Sequence, residues 1–207
     1  TRLREGDAVL AVAPGSTRCT VVFFTNFGVA YSVRIADVPA STGYGEPIQR
    51  LFKFRDGERA IAAFSLDPRV TSGIEAKKEG DVPRTHAVAV TSDGYSLRFG
   101  FQGFVEPSTR AGRRYARPSE GVEVVGVAKI DGSETIIAAT AQARAMLCKI
   151  DEINYLSGPG KGVILIKLNP KEDRVLGFIA SVGDRDLLTV ETSRGAEQTI
   201  STTKYEI

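Results

Sequence analysis

Thr25-Asn26-Phe27-Gly28, Thr91-Ser92-Asp93-Gly94 and Thr192-Ser193-Arg194-Gly195 are three copies of one phrase, and Thr140-Ala141-Gln142-Ala143 is a worn fourth. Each copy follows a run of strand formers: Thr20–Phe24, Ala87–Val90, Thr135–Ala139 and Leu187–Glu191. Polar residues ending in Gly between two β-rich runs signal a hairpin, because the last turn position commonly needs φ > 0. The Thr residues are 66, 49 and 52 positions apart, which makes the phrase a repeat. Ala143 in a left-handed conformation would cost on the order of 1 kcal/mol relative to Gly, so the fourth turn is expected to have changed type.

A second marker keeps the same beat. Val9-Leu10-Ala11-Val12, Ile61-Ala62-Ala63-Phe64, Val125-Gly126-Val127-Ala128 and Leu176-Gly177-Phe178-Ile179 each precede a hairpin, with steps of 51, 64 and 51 residues. Both markers give a unit of about fifty residues and one insertion in the second unit, placed at 67–85, where the chain is polar and rich in breakers. Several short strands per unit at this period predict an all-β, propeller-like fold of about four repeats. The units are read as 6–57, 58–121, 122–173 and an incomplete 174–207, forming a single domain cut from a longer chain.

Composition narrows the function classes. The net charge is +2, so a nucleic-acid surface would have to come from uneven distribution of the 27 Lys and Arg. Cys19 and Cys148 lie in β-rich runs without metal-ligand spacing and read as buried free thiols of a reducing compartment. No apolar stretch is long enough to span a membrane as a helix, and no signal peptide is evident.

Along the first unit, Ala8–Val12 reads as a strand, Cys19–Thr25 as the first arm of the hairpin and Val29–Val33 as its return. Gly45–Phe54 alternates apolar and basic residues, Arg50 and Lys53 among them, as a strand with one positively charged face would. In the second unit Arg98, Arg110, Arg113, Arg114 and Arg117 follow the hairpin. In the third, Gly158-Pro159-Gly160-Lys161-Gly162 leads into Val163–Leu168, which carries Lys167.

The ordered set of Thr-x-x-Gly hairpin, downstream Gly-x-Gly-x-hydrophobic strand and acidic residue before a Val-Leu-Gly strand resembles the C-terminal domain of the A subunit of bacterial type IIA DNA topoisomerases, gyrase and topoisomerase IV. Asp173-Arg174-Val175-Leu176-Gly177, Glu123-Val124-Val125-Gly126 and Gly6-Asp7-Ala8-Val9-Leu10-Ala11 carry the third ingredient. The resemblance covers the whole chain and implies a β-pinwheel, a ring whose blades exchange strands. It implies a domain that binds and bends duplex DNA around its rim for an ATP-dependent enzyme of the bacterial cytoplasm and nucleoid. The catalytic tyrosine and the ATPase partner subunit would lie outside this segment. The gyrase box Gln-Arg-Arg-Gly-Gly-Lys-Gly is absent as written; Gly160-Lys161-Gly162 matches only its tail, which favours a topoisomerase IV-like protein.

The candidate DNA-binding residues are Arg50, Lys53, Arg98, Arg110, Arg113, Arg114, Arg117, Lys161 and Lys167, since guanidinium and ammonium groups hold phosphates without reading bases. The plain alternative for each is a solvated surface charge. Gly158–Gly162 is too short for a nucleotide P-loop, and Val163 stands where Ser or Thr is required. His86, the six Tyr and the carboxylate pairs Asp151-Glu152 and Asp184/Asp186 have no triad or acid–base setting, so neither a catalytic residue, a metal site nor a cofactor is expected. A propeller that binds a protein or peptide is the rival reading, kept open by the near-neutral charge.

Overall fold

The computed structural model describes residues 3–169, 171–183 and 185–203. Among them, fourteen strands follow in chain order: β1 (Thr20–Thr25), β2 (Val29–Arg34), β3 (Ala60–Ser65), β4 (His86–Thr91), β5 (Tyr95–Gly100), β6 (Arg113–Arg114), β7 (Val124–Ile130), β8 (Thr135–Thr140), β9 (Ala145–Lys149), β10 (Tyr155–Leu156), β11 (Val163–Ile164), β12 (Val175–Ser181), β13 (Leu188–Glu191) and β14 (Glu197–Ile200). Among the described residues the only helical pieces are short 3₁₀ turns. The all-β expectation holds.

Four hairpins, β1–β2, β4–β5, β8–β9 and β13–β14, turn at the repeated phrase. All four turns are closed alike, by the amide of Gly28, Gly94, Ala143 or Gly195 on the carbonyl of the phrase's Thr. The worn copy has not changed type: Ala143 is held at φ 58°. We expect Ala143→Gly to raise the midpoint of thermal unfolding, by relieving about 1 kcal/mol of left-handed strain; an unchanged or lowered midpoint would show the alanine to be unstrained.

Each of the first three hairpins is flanked by a strand from the next repeat. β3 adds to β1, β7 to β4 and β12 to β8, all antiparallel. On the opposite edge, β6 adds to β2, and β10 and β11 add to β5. The sheet orders are therefore β3-β1-β2-β6 and β7-β4-β5-β10, with β11 also on β5, followed by β12-β8-β9 and β13-β14. β7 lies beside both β3 and β12, so these strands form the inner layer and β6, β10 and β11 the rim.

Two expected strands do not form. Residues 8–12 carry no regular structure, with Val9, Leu10 and Val12 exposed, and 45–54 is irregular apart from a 3₁₀ turn at Ile48–Arg50. The reason is the exchange itself: both segments are counterparts of strands that pair with the hairpin of a preceding repeat, and no such hairpin is among the described residues. Residues 67–85 form a loop pinned by buried Asp67, Thr71 and Ile74.

Between the first and second sheets, Phe24 is fully buried with the rings of Phe64, Phe99, Phe101, Phe104 and Tyr115 around it, their centroids 4.9–6.2 Å away. Edge-on contacts of this kind add to the burial that holds neighbouring blades together. Between the second and third sheets the core is aliphatic: Val88, Val90, Ile136, Ala138, Leu165 and Ile166.

The phrase's Thr fastens one repeat to the next. Thr25 Oγ1 donates to Glu58 Oε1 at 2.8 Å, and Thr140 Oγ1 donates to Asp173 Oδ2 at 2.8 Å. Glu58 also accepts the Tyr31 hydroxyl at 3.0 Å; burial first and this carboxylate second push the Tyr31 pKa up to about 12. Burial opposes ionisation of Asp173, but Thr140 and the amides of Gln142 and Arg174 outweigh it and hold its pKa below the usual carboxylate value. From the sequence pattern, Glu123 is expected in line with Asp173. The register corrects this by one residue: Val122 occupies that place, and Glu123 aligns with Arg59 and Arg174, whose carbonyls accept the equivalent hairpin amides. With no carboxylate arriving from the next repeat, Thr91 donates to Asp93 inside its own turn.

Candidate nucleic-acid interface

The strand exchange carries basic residues to the junctions of the rim. Tyr115 and Ala116 donate their amides to Gly28 O, and Leu165 and Ile166 donate theirs to Gly94 O, so Arg117 and Lys167 hold equivalent places. One step earlier, the Lys53 amide bonds to Arg110 O at 2.8 Å, as the Arg117 amide bonds to Gly160 O at 2.8 Å. Lys53, Arg117 and Lys167 are thus one position in three repeats, and the same contacts set Arg110 beside Lys53 and Gly160, the residue before Lys161, beside Arg117. Two glycines permit this approach: a Cβ on Gly162 would fall 2.1 Å from Ser96 O, and one on Gly112 2.8 Å from Ala30 O, both at positive φ.

The nine candidates separate into two groups. Lys53, Arg110, Arg114, Arg117 and Lys167 are exposed, and among the described residues their side chains make neither a hydrogen bond nor an ion pair. The other four are engaged within the fold. Arg50 pairs with Glu46, just ahead of the 3₁₀ turn. Arg98 is partly buried and donates to Ile153 O at 2.6 Å, with His86 Nε2 3.4 Å away; burial first, against the pull of Asp151 and Tyr155, lowers its pKa. Arg113 spans the carbonyls of Gly103, Glu106 and Pro107 at 2.9–3.1 Å. Lys161 sits 3.6 Å from Asp93 and 3.9 Å above the Tyr95 ring, so it is neutralised locally.

Sequence reasoning passed over Arg55. It stacks on the Phe27 ring at 5.0 Å and, with Arg114, lines a groove of about 360 Å³. Its neighbour Asp56 masks it in a charge count, and only the fold shows which way it faces. The equivalence of Lys53, Arg117 and Lys167 was present in the sequence as steps of 64 and 50 residues, the beat of the two strand markers.

The residues judged inert for chemistry sit in structural settings. His86 is buried in β4 with its ring edge-on to Tyr155 at 5.9 Å. Tyr31 and Tyr115 are core residues, Tyr44 is exposed, and Asp151 and Glu152 occupy an exposed 3₁₀ turn. Asp184 and Tyr205 lie outside the described residues. Cys148 is buried and Cys19 partly so, and both are free thiols; burial pushes the Cys148 pKa up to about 11.

Hairpin sheets that exchange strands with their neighbours around an inner layer define a β-pinwheel. The chain belongs to the family of DNA gyrase C-terminal domains: the model described as "DNA gyrase C-terminal domain, beta-propeller" matches residues 20–67, 85–131 and 134–181. Each matched stretch runs from a hairpin to the inner strand of the next repeat, so the family's repeat is in phase with one sheet. The A subunit of DNA gyrase from Aminobacterium colombiense is 29% identical over the whole chain, and the A subunit of DNA topoisomerase 4 from Neisseria gonorrhoeae is 26% identical over 95% of it. The chain spans 23% and 24% of these relatives' lengths. The crystal structure of the C-terminal domain of DNA topoisomerase IV superposes with a TM-score of 0.84 at 17% identity, covering 99% of this chain and 60% of that one, which shows the same fold.

Proposed function

We propose that this domain grips the phosphate backbone of duplex DNA without reading its sequence and bends it along the rim, as part of the A subunit of a type IIA topoisomerase. The observation that carries this reading is the set of five unengaged cations at the rim, three of them at one repeat position. Charges repeated blade by blade suit a polymer of repeating phosphates, and curvature of the duplex is offset by the contacts it brings. The parent would be an ATP-dependent isomerase working with an ATPase partner in the bacterial cytoplasm, at the nucleoid. The missing gyrase box favours a topoisomerase IV-like parent, and the chemistry of that parent is assigned to residues outside this domain. No helix among the described residues is long and apolar enough to cross a membrane.

Fluorescence anisotropy on duplexes of different sequence and length, titrated at several salt concentrations, tests the reading. We expect affinity to fall with salt, to rise with duplex length and to depend little on sequence. Absence of salt-dependent binding at low ionic strength would remove the DNA reading and leave a protein- or peptide-binding propeller in its place.

A further inference from the structure

The two rim segments that cross β2 and β5 match residue by residue but not in charge. β6 lays Arg113 and Arg114 on Ala30 and Val29, and β11 lays Val163 and Ile164 on Ser96 and Tyr95. Continued along both segments, this match sets Gly160 against Arg110, Lys161 against Ala111 and Lys167 against Arg117. The first segment therefore presents Arg110, Arg114 and Arg117 as unengaged cations, whereas the second presents Lys167. Lys161 is a further charge on the second segment, and it is not free. The second hairpin has a described sheet on either side, so its tip is enclosed by neighbouring repeats.

The turn of that hairpin is what holds Lys161. Its Nζ lies 3.9 Å above the Tyr95 ring and 3.6 Å from Asp93 Oδ2, with the lysine side chain 41% exposed and the aspartate 11%. The two contacts act differently. The ring face fixes the ammonium in place and leaves its charge intact. The carboxylate cancels that charge and repels a phosphate brought to the same spot. Asp93 accepts the Thr91 hydroxyl on its other oxygen, Oδ1, which keeps Oδ2 turned toward the lysine. Acid and base occur together: the first repeat has Phe27 in place of Asp93 and Ala111 in place of Lys161.

We infer that Asp93 holds Lys161 in reserve and so makes the grip on duplex phosphates weaker at the second rim segment than at the first, which rests on the DNA-binding role proposed above. A duplex that follows the rim is anchored where Arg110, Arg114 and Arg117 stand free and is held more loosely where Lys167 acts without Lys161. The restraint is electrostatic and local. An exposed ion pair is weak, so removal of its negative charge is enough for the ammonium, already placed by the Tyr95 ring, to serve a phosphate instead.

Asp93→Asn separates the charge from the fold, because its amide oxygen still accepts the Thr91 hydroxyl while Lys161 loses its counter-charge. Asp93→Ser, which also keeps an acceptor in the turn, is the second variant. Anisotropy titrations of each on one duplex at several salt concentrations are compared with the wild-type chain. We expect tighter binding at low salt and a slope of log K against log salt steeper by about 0.9, the share of one added phosphate contact. Adding Lys161→Gln to Asp93→Asn is expected to return the slope to that of the wild type. A wild-type chain that binds with salt dependence and is matched in slope by both single variants overturns the inference and leaves the DNA reading intact. So does a double variant that keeps the steeper slope, since Asp93 would then act by repulsion and not through Lys161. A wild-type chain without salt-dependent binding removes the DNA reading, and the inference with it.

Discussion

Gly94→Val is expected to destabilise the domain by roughly 3–5 kcal/mol, lowering the unfolding midpoint by on the order of 10 °C. Three effects add at this residue. A β-branched side chain resists the φ of 86° that the turn requires. The new Cβ would sit 2.2 Å from Ile166 O, a backbone atom that cannot swing aside. Moving that strand away also costs the two bonds that Leu165 and Ile166 donate to Gly94 O. Gly195 provides the contrast: its φ is 76°, but nothing lies within 4 Å of its would-be Cβ. Gly195→Val should therefore cost only the turn strain, about 1–2 kcal/mol. Equal losses at the two glycines would mean that the close approach between repeats contributes nothing to stability.

The second large effect concerns DNA. Replacing Lys53, Arg117 and Lys167 together with Glu should flatten the slope of log K against log salt by about 2.7, since each phosphate contact contributes about 0.9. The loss should be alike for every duplex sequence, because phosphates are the same everywhere. Arg113→Ala is the control. Its guanidinium is engaged with the carbonyls of Gly103, Glu106 and Pro107, so we expect a lower unfolding midpoint with little change in salt slope. If Arg113→Ala flattens the slope while the triple variant leaves it intact, the assignment of free and engaged cations is wrong.

How much of this was legible beforehand depended on whether the information was local. The hairpin tips were, because a left-handed residue after a β-run leaves a trace in the sequence, and Ala143 kept that geometry without its glycine. The exchange of strands supplied the parts that were not. Whether Ala8–Val12 and Gly45–Phe54 become strands depends on which hairpin lies beside them, and neither segment records that. Val122 and Glu123 were misaligned by one residue because a single carboxylate looks equally suited to either place, and only the register of β4 with β7 decides. The engaged state of Arg98, Arg113 and Lys161 was illegible for a related reason. Their partners Ile153, Gly103 and Asp93 are brought to them by turns and by neighbouring repeats, whereas the freedom of Lys53 or Lys167 is a property of the rim.

Strand exchange also changes what a break in the chain means. The stretch 75–82 is exposed throughout and suits a proteolytic nick. Such a nick would not yield two independent halves. The front piece keeps β1, β2 and β3 but needs β6 from the rear piece to complete its sheet. Phe24, Leu66 and Ile74 on one side share their core with Phe99, Phe104 and Tyr115 on the other. The pieces should stay clasped after the peptide bond is gone, parting only under denaturant.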